Sequence, residues 1–105
     1  EYYLLAGRPF PQPRLDDGRL LDELLGRRSA VIGRRELLAR AAPATAERWA
    51  RSEALVIDRP DAQLDAWLRS HEAQAVILRP DRYIVGVART QAELDRISRH
   101  LPVAP

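Results

Sequence analysis

The side chains in this chain that could bind a metal, attack an electrophile or hold an anion are two histidines, four serines and seventeen arginines interleaved with fifteen carboxylates. His71 and His100 fall near the ends of separate predicted helices and share no metal-ligand spacing. His71, on an apolar stripe, is better explained as a packing or C-capping residue. Ser29, Ser52, Ser70 and Ser98 lack the flanking glycines of a nucleophile elbow, so acyl transfer has no support. There is no cysteine, which removes disulfides, thiolate metal sites and dithiol redox chemistry. The glycines, at positions 7, 18, 26, 33 and 86, never fall two apart, so neither a G-x-G-x-x-G fingerprint nor a phosphate loop can be written. Arg34 and Arg35, at a predicted helix start, could join backbone N–H groups in holding an anion, but pairing with Glu36 is the simpler reading. Arg79 and Asp81 flank Pro80, where Asp81 is expected to cap a turn and Arg79 to pair across a hairpin. The inventory predicts no catalytic residue, no cofactor-binding residue and no metal ligand.

The totals narrow the choice further. A chain of 105 residues forms one domain, able to bury roughly two-thirds of the surface that its unfolded form exposes. Its 46% apolar and 30% charged composition is that of a water-soluble globule. No run approaches the roughly 18 apolar residues of a membrane span, and no targeting segment is visible, so a cytoplasmic location and no membrane partner are expected. The sequence pI of about 9.7 arises because every basic residue is arginine, while the formal net charge is only +2. Positive and negative residues alternate, as in Asp58-Arg59-Pro60-Asp61, so no single-sign stripe forms and nucleic acid is not expected as a partner. The absence of methionine and the opening Glu1-Tyr2-Tyr3-Leu4 suggest an excised piece of a longer chain.

Residues 1–16 form a lead-in in which Pro9, Pro11 and Pro13 impose an extended path, either as a linker or as a strap on a surface. Residues 17–105 form the domain proper. Leu20, Leu21, Leu24 and Leu25, with Asp17 as N-cap and Gly26 at the end, predict a short helix. Ser29 to Gly33 predicts a strand, and Glu36 to Ser52 a helix broken at Pro43, which either kinks it or opens a second helix. Ala54 to Asp58 is expected to be a buried strand, and Asp61 to Glu72 a helix whose inward stripe is Leu64, Trp67, Leu68 and His71. Ala75 to Leu78 and Tyr83 to Ala88 flank Arg79-Pro80-Asp81-Arg82 as a β-hairpin. Thr90 and Glu93 form a capping box for a last helix that Pro102 stops. Trp49 and Trp67 are expected in the core. Tyr2, Tyr3, Leu4, Leu5 and Phe10 are the interface candidates, because an apolar cluster in a non-periodic lead-in has no obvious internal face to join.

Strands joined through a helix should run parallel and the hairpin antiparallel, which predicts an α/β fold with a mixed β-sheet flanked by helices. This order resembles the thioredoxin fold. The chain lacks its Cys-x-x-Cys, carrying Gly33-Arg34-Arg35-Glu36 instead, and lacks its cis-proline, carrying Glu72-Ala73-Gln74-Ala75 at that entry.

Three motifs in order point to a family. Gly7-Arg8-Pro9-Phe10-Pro11-Gln12-Pro13-Arg14-Leu15, Leu64-Asp65-Ala66-Trp67-Leu68 and Leu78-Arg79-Pro80-Asp81-Arg82-Tyr83 are similar to the tail of FAD-dependent aromatic-ring hydroxylases, the phenol and 3-(3-hydroxyphenyl)propionate hydroxylase group. The lead-in leans toward the latter branch. Two positions depart from the pattern: Arg82 replaces a glycine of the turn, and Gly86-Val87 stands where a tryptophan is usual. The resemblance implies a non-catalytic C-terminal accessory domain of a monooxygenase that uses FAD and NAD(P)H bound elsewhere. Its partners would be the FAD-binding and substrate domains of the same parent chain, with homo-oligomer formation also open. A stand-alone, redox-inactive thioredoxin-like binding module is the alternative, and an arginine-rich nucleic-acid binder ranks third.

Overall fold

A computed structural model describes residues 5–103 of the chain. The elements run α1 (Leu21–Leu25), β1 (Ala30–Gly33), α2 (Arg35–Leu38), α3 (Pro43–Arg51), β2 (Leu55–Ile57), α4 (Ala62–Ser70), β3 (Ala75–Leu78), β4 (Ile84–Ala88) and α5 (Gln91–Ser98). The strands form one four-stranded sheet in the order β2-β1-β3-β4. β1 pairs with β2 in parallel and with β3 antiparallel, and β3 pairs with β4 antiparallel. The expected mixed α/β architecture is therefore present.

Side-chain alternation divides the core into two layers. Ala30, Ile32, Val76, Leu78, Ile84 and Val87 point to the face covered by α1, α4 and Phe10 of the lead-in. Val31, Ala75, Ile77 and Ala88 point to the other, covered by α2, α3 and α5 through Leu37, Leu38, Trp49 and Leu94. β1 and β3 are central and wholly buried, which is why their sequences are unbroken apolar runs. The expectation that Ala54 to Asp58 is a buried strand is corrected. β2 lies at the sheet edge, with Val56 41% exposed and Leu55 and Ile57 only partly covered. A short apolar run does not distinguish a central strand from an edge one.

Pro43 resolves the long predicted helix into two. It occupies the first turn of α3, where its missing N–H leaves no bond unmade, and α2 ends before it. α1 is too short to persist alone. It is held by burying Leu21 and Leu25, each contributing about 1.5–3 kcal/mol. Its N-cap is Leu20 rather than the expected Asp17, whose carboxylate instead takes the Arg19 backbone N–H at 3.0 Å and pairs with the Arg19 side chain. The Leu20 N–H is satisfied by Glu23 Oε1 at 2.7 Å. α4 is capped by Asp61, which accepts from the Leu64 N–H, and α5 by Thr90, which accepts from the Glu93 N–H.

α3 and α4 both stop without a glycine. Glu53 and Glu72 take the left-handed conformation, φ 55° and 54°, so that Ala54 N–H reaches Trp49 O and Ala73 N–H reaches Leu68 O. Among the described residues no helix is long and apolar enough to cross a membrane.

Candidate functional site

The hairpin is closed by a turn in which Arg82 N–H donates to Arg79 O and Arg79 N–H to Tyr83 O, each at 2.9 Å. Asp81 Oδ1 accepts from the Tyr83 N–H at 3.1 Å and its other oxygen binds Arg79, so Asp81 caps the turn as expected. Arg79 pairs with Asp81 inside the turn and reaches across the hairpin only as a cation over the Tyr83 ring, 5.7 Å from its centroid. Burial would raise the Asp81 carboxyl, but the bonds from Tyr83 and Arg79 outweigh it and hold it below the usual carboxylate range.

Arg82 stands where the related pattern has glycine, and its φ is +71°. A non-glycine residue there is strained. Its side chain, only 11% exposed, provides the compensation. The guanidinium donates to Pro80 O at 2.8 Å, to Arg28 O at 2.9 Å and to Gly26 O, and it forms an ion pair with Asp22. Gly26 is the C-cap of α1 and Arg28 lies in the connection to β1, so one cation ties the hairpin turn to the carbonyl end of a helix. Arg82 is also what holds the Asp22 carboxyl below its ordinary value. Sequence reasoning missed this hub. The available signal was the substitution itself, because an arginine at a glycine position must gain something in return. At the second departure, Gly86, a Cβ would lie 3.0 Å from Ile97 Cγ2, so Ile97 of α5 fills the space beside the strand.

The lead-in is a strap, not a free linker, from residue 5 onward. Gly7 N–H donates to Ile84 O, Ile84 N–H to Arg8 O and Phe10 N–H to Arg82 O, which pairs the strap with the start of β4 and the turn before it. Gln12 then accepts from the Asp22 N–H and Asp61 from the Asp16 N–H, fastening the strap to α1 and α4. One of the interface candidates, Phe10, must be corrected. Phe10 is buried in the domain's own core, its ring 4.8 Å from that of Trp67, and Leu5 packs partly against the same cluster. The alternating prolines hold the chain extended and aim Phe10 inward, which periodicity in the lead-in does not reveal. Tyr2, Tyr3 and Leu4 lie outside the described residues.

The end of β1 is a close crossing. A Cβ at Gly33 would stand 2.7 Å from Ala75 Cβ and 3.0 Å from Gln74 O, so only glycine fits. Arg34 N–H donates to Gln74 O at 2.9 Å, and its guanidinium pairs with Asp65 of α4, which also binds Arg69. The expected Glu36 partner is not used, and the Glu36 carbonyl accepts instead from Arg40 Nε. Arg34 is thus engaged by its own domain.

Polar groups on the opposite layer serve packing. Trp49 Nε1 donates to Ser98 Oγ at 2.9 Å, and Ser98 Oγ to Leu94 O at 2.7 Å. Asp95 accepts from Thr45 Oγ1 at 2.6 Å and from the Ala42 N–H at 3.1 Å, capping α3 from α5. Burial would raise this carboxyl, but the Thr45 hydroxyl, the Ala42 N–H and Gln91 hold it below the usual range. These residues floor an open groove of about 350 Å³ rimmed by Arg48, Arg51 and Arg99. His71 caps α4, its Nδ1 beside Trp67 O and its ring stacked on Trp67 at 4.1 Å, as a packing role requires. Trp49 is buried, Trp67 only half-buried. Among the described residues no three His, Asp or Glu side chains form a metal cluster.

The region from the end of α2 through α3, the β2–α4 unit, the hairpin and α5 matches a family model, the HcaD C-terminal domain, over residues 38–103. The chain belongs to the HcaD C-terminal domain family. This agrees with the resemblance to the C-terminal domain of hydroxylase-like flavoproteins, and places the chain among accessory domains of larger, oxidoreductase-like proteins. The strap, α1 and β1 precede the matched segment, so the Arg82 hub joins a matched hairpin to an unmatched helix. No curated protein matches the chain.

Proposed function

We propose that this chain is the non-catalytic C-terminal accessory domain of an FAD- and NAD(P)H-dependent aromatic-ring hydroxylase resembling 3-(3-hydroxyphenyl)propionate hydroxylase, a cytoplasmic enzyme. Its role is structural: it packs on the FAD-binding and substrate domains of the same parent chain and supports their stability or assembly. The observation that carries the reading is the family match, which spans the Arg-Pro-Asp hairpin and the Leu-x-x-Trp-Leu helix together. A thioredoxin-like fold is part of the proposal. The order β2-β1-β3-β4, with β1 and β2 parallel and β3 and β4 antiparallel to their neighbours, supports it. At the end of β1, where that fold carries its dithiol, Arg34 and Asp65 form an ion pair, which favours a scaffold over an oxidoreductase.

In this reading FAD and NAD(P)H are bound by other parts of the parent, and none of this domain's residues is assigned to them. The test compares the parent enzyme with and without the domain. Flavin content and turnover per bound flavin should be unchanged, while the thermal midpoint falls or the assembly dissociates. Loss of flavin on deletion at unchanged fold, or turnover by the isolated domain, would overturn it.

A further inference from the structure

At the pole of the domain where β1 and β2 begin, a cavity of about 250 Å³ opens between the α1–β1 connection, the end of α3, the hairpin turn and the residues after α5. Arg27, Arg28 and Ser29 line it from the first of these and Ser52 and Glu53 from the second. The Arg82 hub braces one wall, since Arg82 donates to the carbonyls of Arg28 and of Pro80, which also lines the cavity.

Ser52 is 6% exposed, and its Oγ is the one buried side-chain polar atom among the described residues without a hydrogen-bond partner. A hydroxyl buried in that state costs stability until something bonds it. Ser98, as deeply buried at the end of α5, gives its hydroxyl to Leu94 O instead. Arg27 and Arg28 are exposed, and among the described residues neither enters an ion pair. Glu53 is the only carboxylate on the wall, so two cations against one anion leave the cavity a net charge of +1. Its remaining walls, Pro80, Pro102 and Val103, are apolar. The volume is below the roughly 300 Å³ at which pockets for drug-sized ligands begin, which suits a small molecule rather than a nucleotide. Guanidinium groups only donate, and a hydroxyl can donate, so the polar side of the cavity matches the acceptor oxygens of an anion of single charge.

We propose that this cavity binds a small monocarboxylate with a short apolar body, its carboxylate taken by Arg27, Arg28 and the Ser52 hydroxyl and its body by Pro80, Pro102 and Val103. This goes beyond the accessory-domain reading and does not depend on it, since deletion of the domain tests that reading and leaves the cavity untested.

Benzoate titrated into the isotope-labelled chain should move the amide resonances of Ser29, Ser52 and Glu53 saturably. Benzyl alcohol, which lacks the charge, and inorganic phosphate, which lacks the apolar body, should each bind at least roughly tenfold more weakly. Arg27→Gln combined with Arg28→Gln, at two exposed positions, should weaken benzoate binding by roughly tenfold or more with unchanged circular dichroism. Ser52→Ala should also weaken it, while the free chain melts no lower, because the lost hydroxyl bonds nothing in the unliganded domain. Glu53→Gln removes the opposing carboxylate and should tighten it. No saturable movement with benzoate, benzyl alcohol or phosphate binding as tightly as benzoate, or an arginine-pair or Ser52→Ala variant that binds benzoate like the wild type, would overturn the proposal.

Discussion

Arg82 shows how a single side chain can reverse the sign of a backbone penalty. The left-handed conformation costs a non-glycine residue about 1–2 kcal/mol, yet the same conformation aims the guanidinium at three carbonyls and Asp22. Hydrogen bonds to a charged group are each worth about 1.5–3 kcal/mol, so the bonds outweigh the strain. Arg82→Ala, which keeps the strain and loses the bonds, is expected to lower the urea-unfolding free energy by about 2–3 kcal/mol. Arg82→Gly should be less harmful by about 1 kcal/mol, because it relieves φ. Equal effects of the two would show that backbone strain at 82 is immaterial. The hairpin turn itself was legible from Pro80 and Asp81, whose preferences are local. The hub was not, since two of its acceptors are the carbonyls of Gly26 and Arg28, more than fifty residues back in the chain, and carbonyls leave no mark in a sequence.

At the scale of elements, what was legible followed the strength of the local signal. Pro43, the Thr90 cap, Asp61 and the alternating or unbroken apolar runs set helices and strands where they occur, although the Glu93 carboxylate of the expected box takes the Arg89 N–H rather than that of Thr90. Helix ends at Glu53 and Glu72 were opaque, because each uses a residue that rarely adopts the conformation it holds there. So was the edge position of β2, which depends on strand order rather than on its own residues. The strap was half legible: its extended path follows from three prolines, but its docking depends on a backbone ladder to β4 and on the Phe10 side chain. Phe10→Ala should therefore behave as a core deletion, costing about 3–5 kcal/mol in a urea titration. A cost below 1 kcal/mol would instead mark the strap as a detachable lead-in.

For the whole molecule, acid is the condition that reaches several fastenings at once. Asp22 and Asp95 are both held below their ordinary values, the first by Arg82 and the second by the Thr45 hydroxyl and the Ala42 N–H against the opposing effect of burial. A carboxyl depressed in the folded state adds stability that is present above its unfolded value, about 3.9, and is lost as pH falls through the folded value. The urea midpoint should therefore stay level from neutrality to about pH 5 and fall below about pH 4, and Asp95→Asn should flatten part of that fall. A midpoint falling between pH 7 and 5 would point to a different set of groups. The strap carries one more consequence, in time. Gly7 finds its hydrogen-bond partner at Ile84, so during translation the chain through Ile84 must leave the ribosome before the first rung can close. Phe10 waits uncovered for that interval, and this nascent chain completes its interior only after the hairpin has been made.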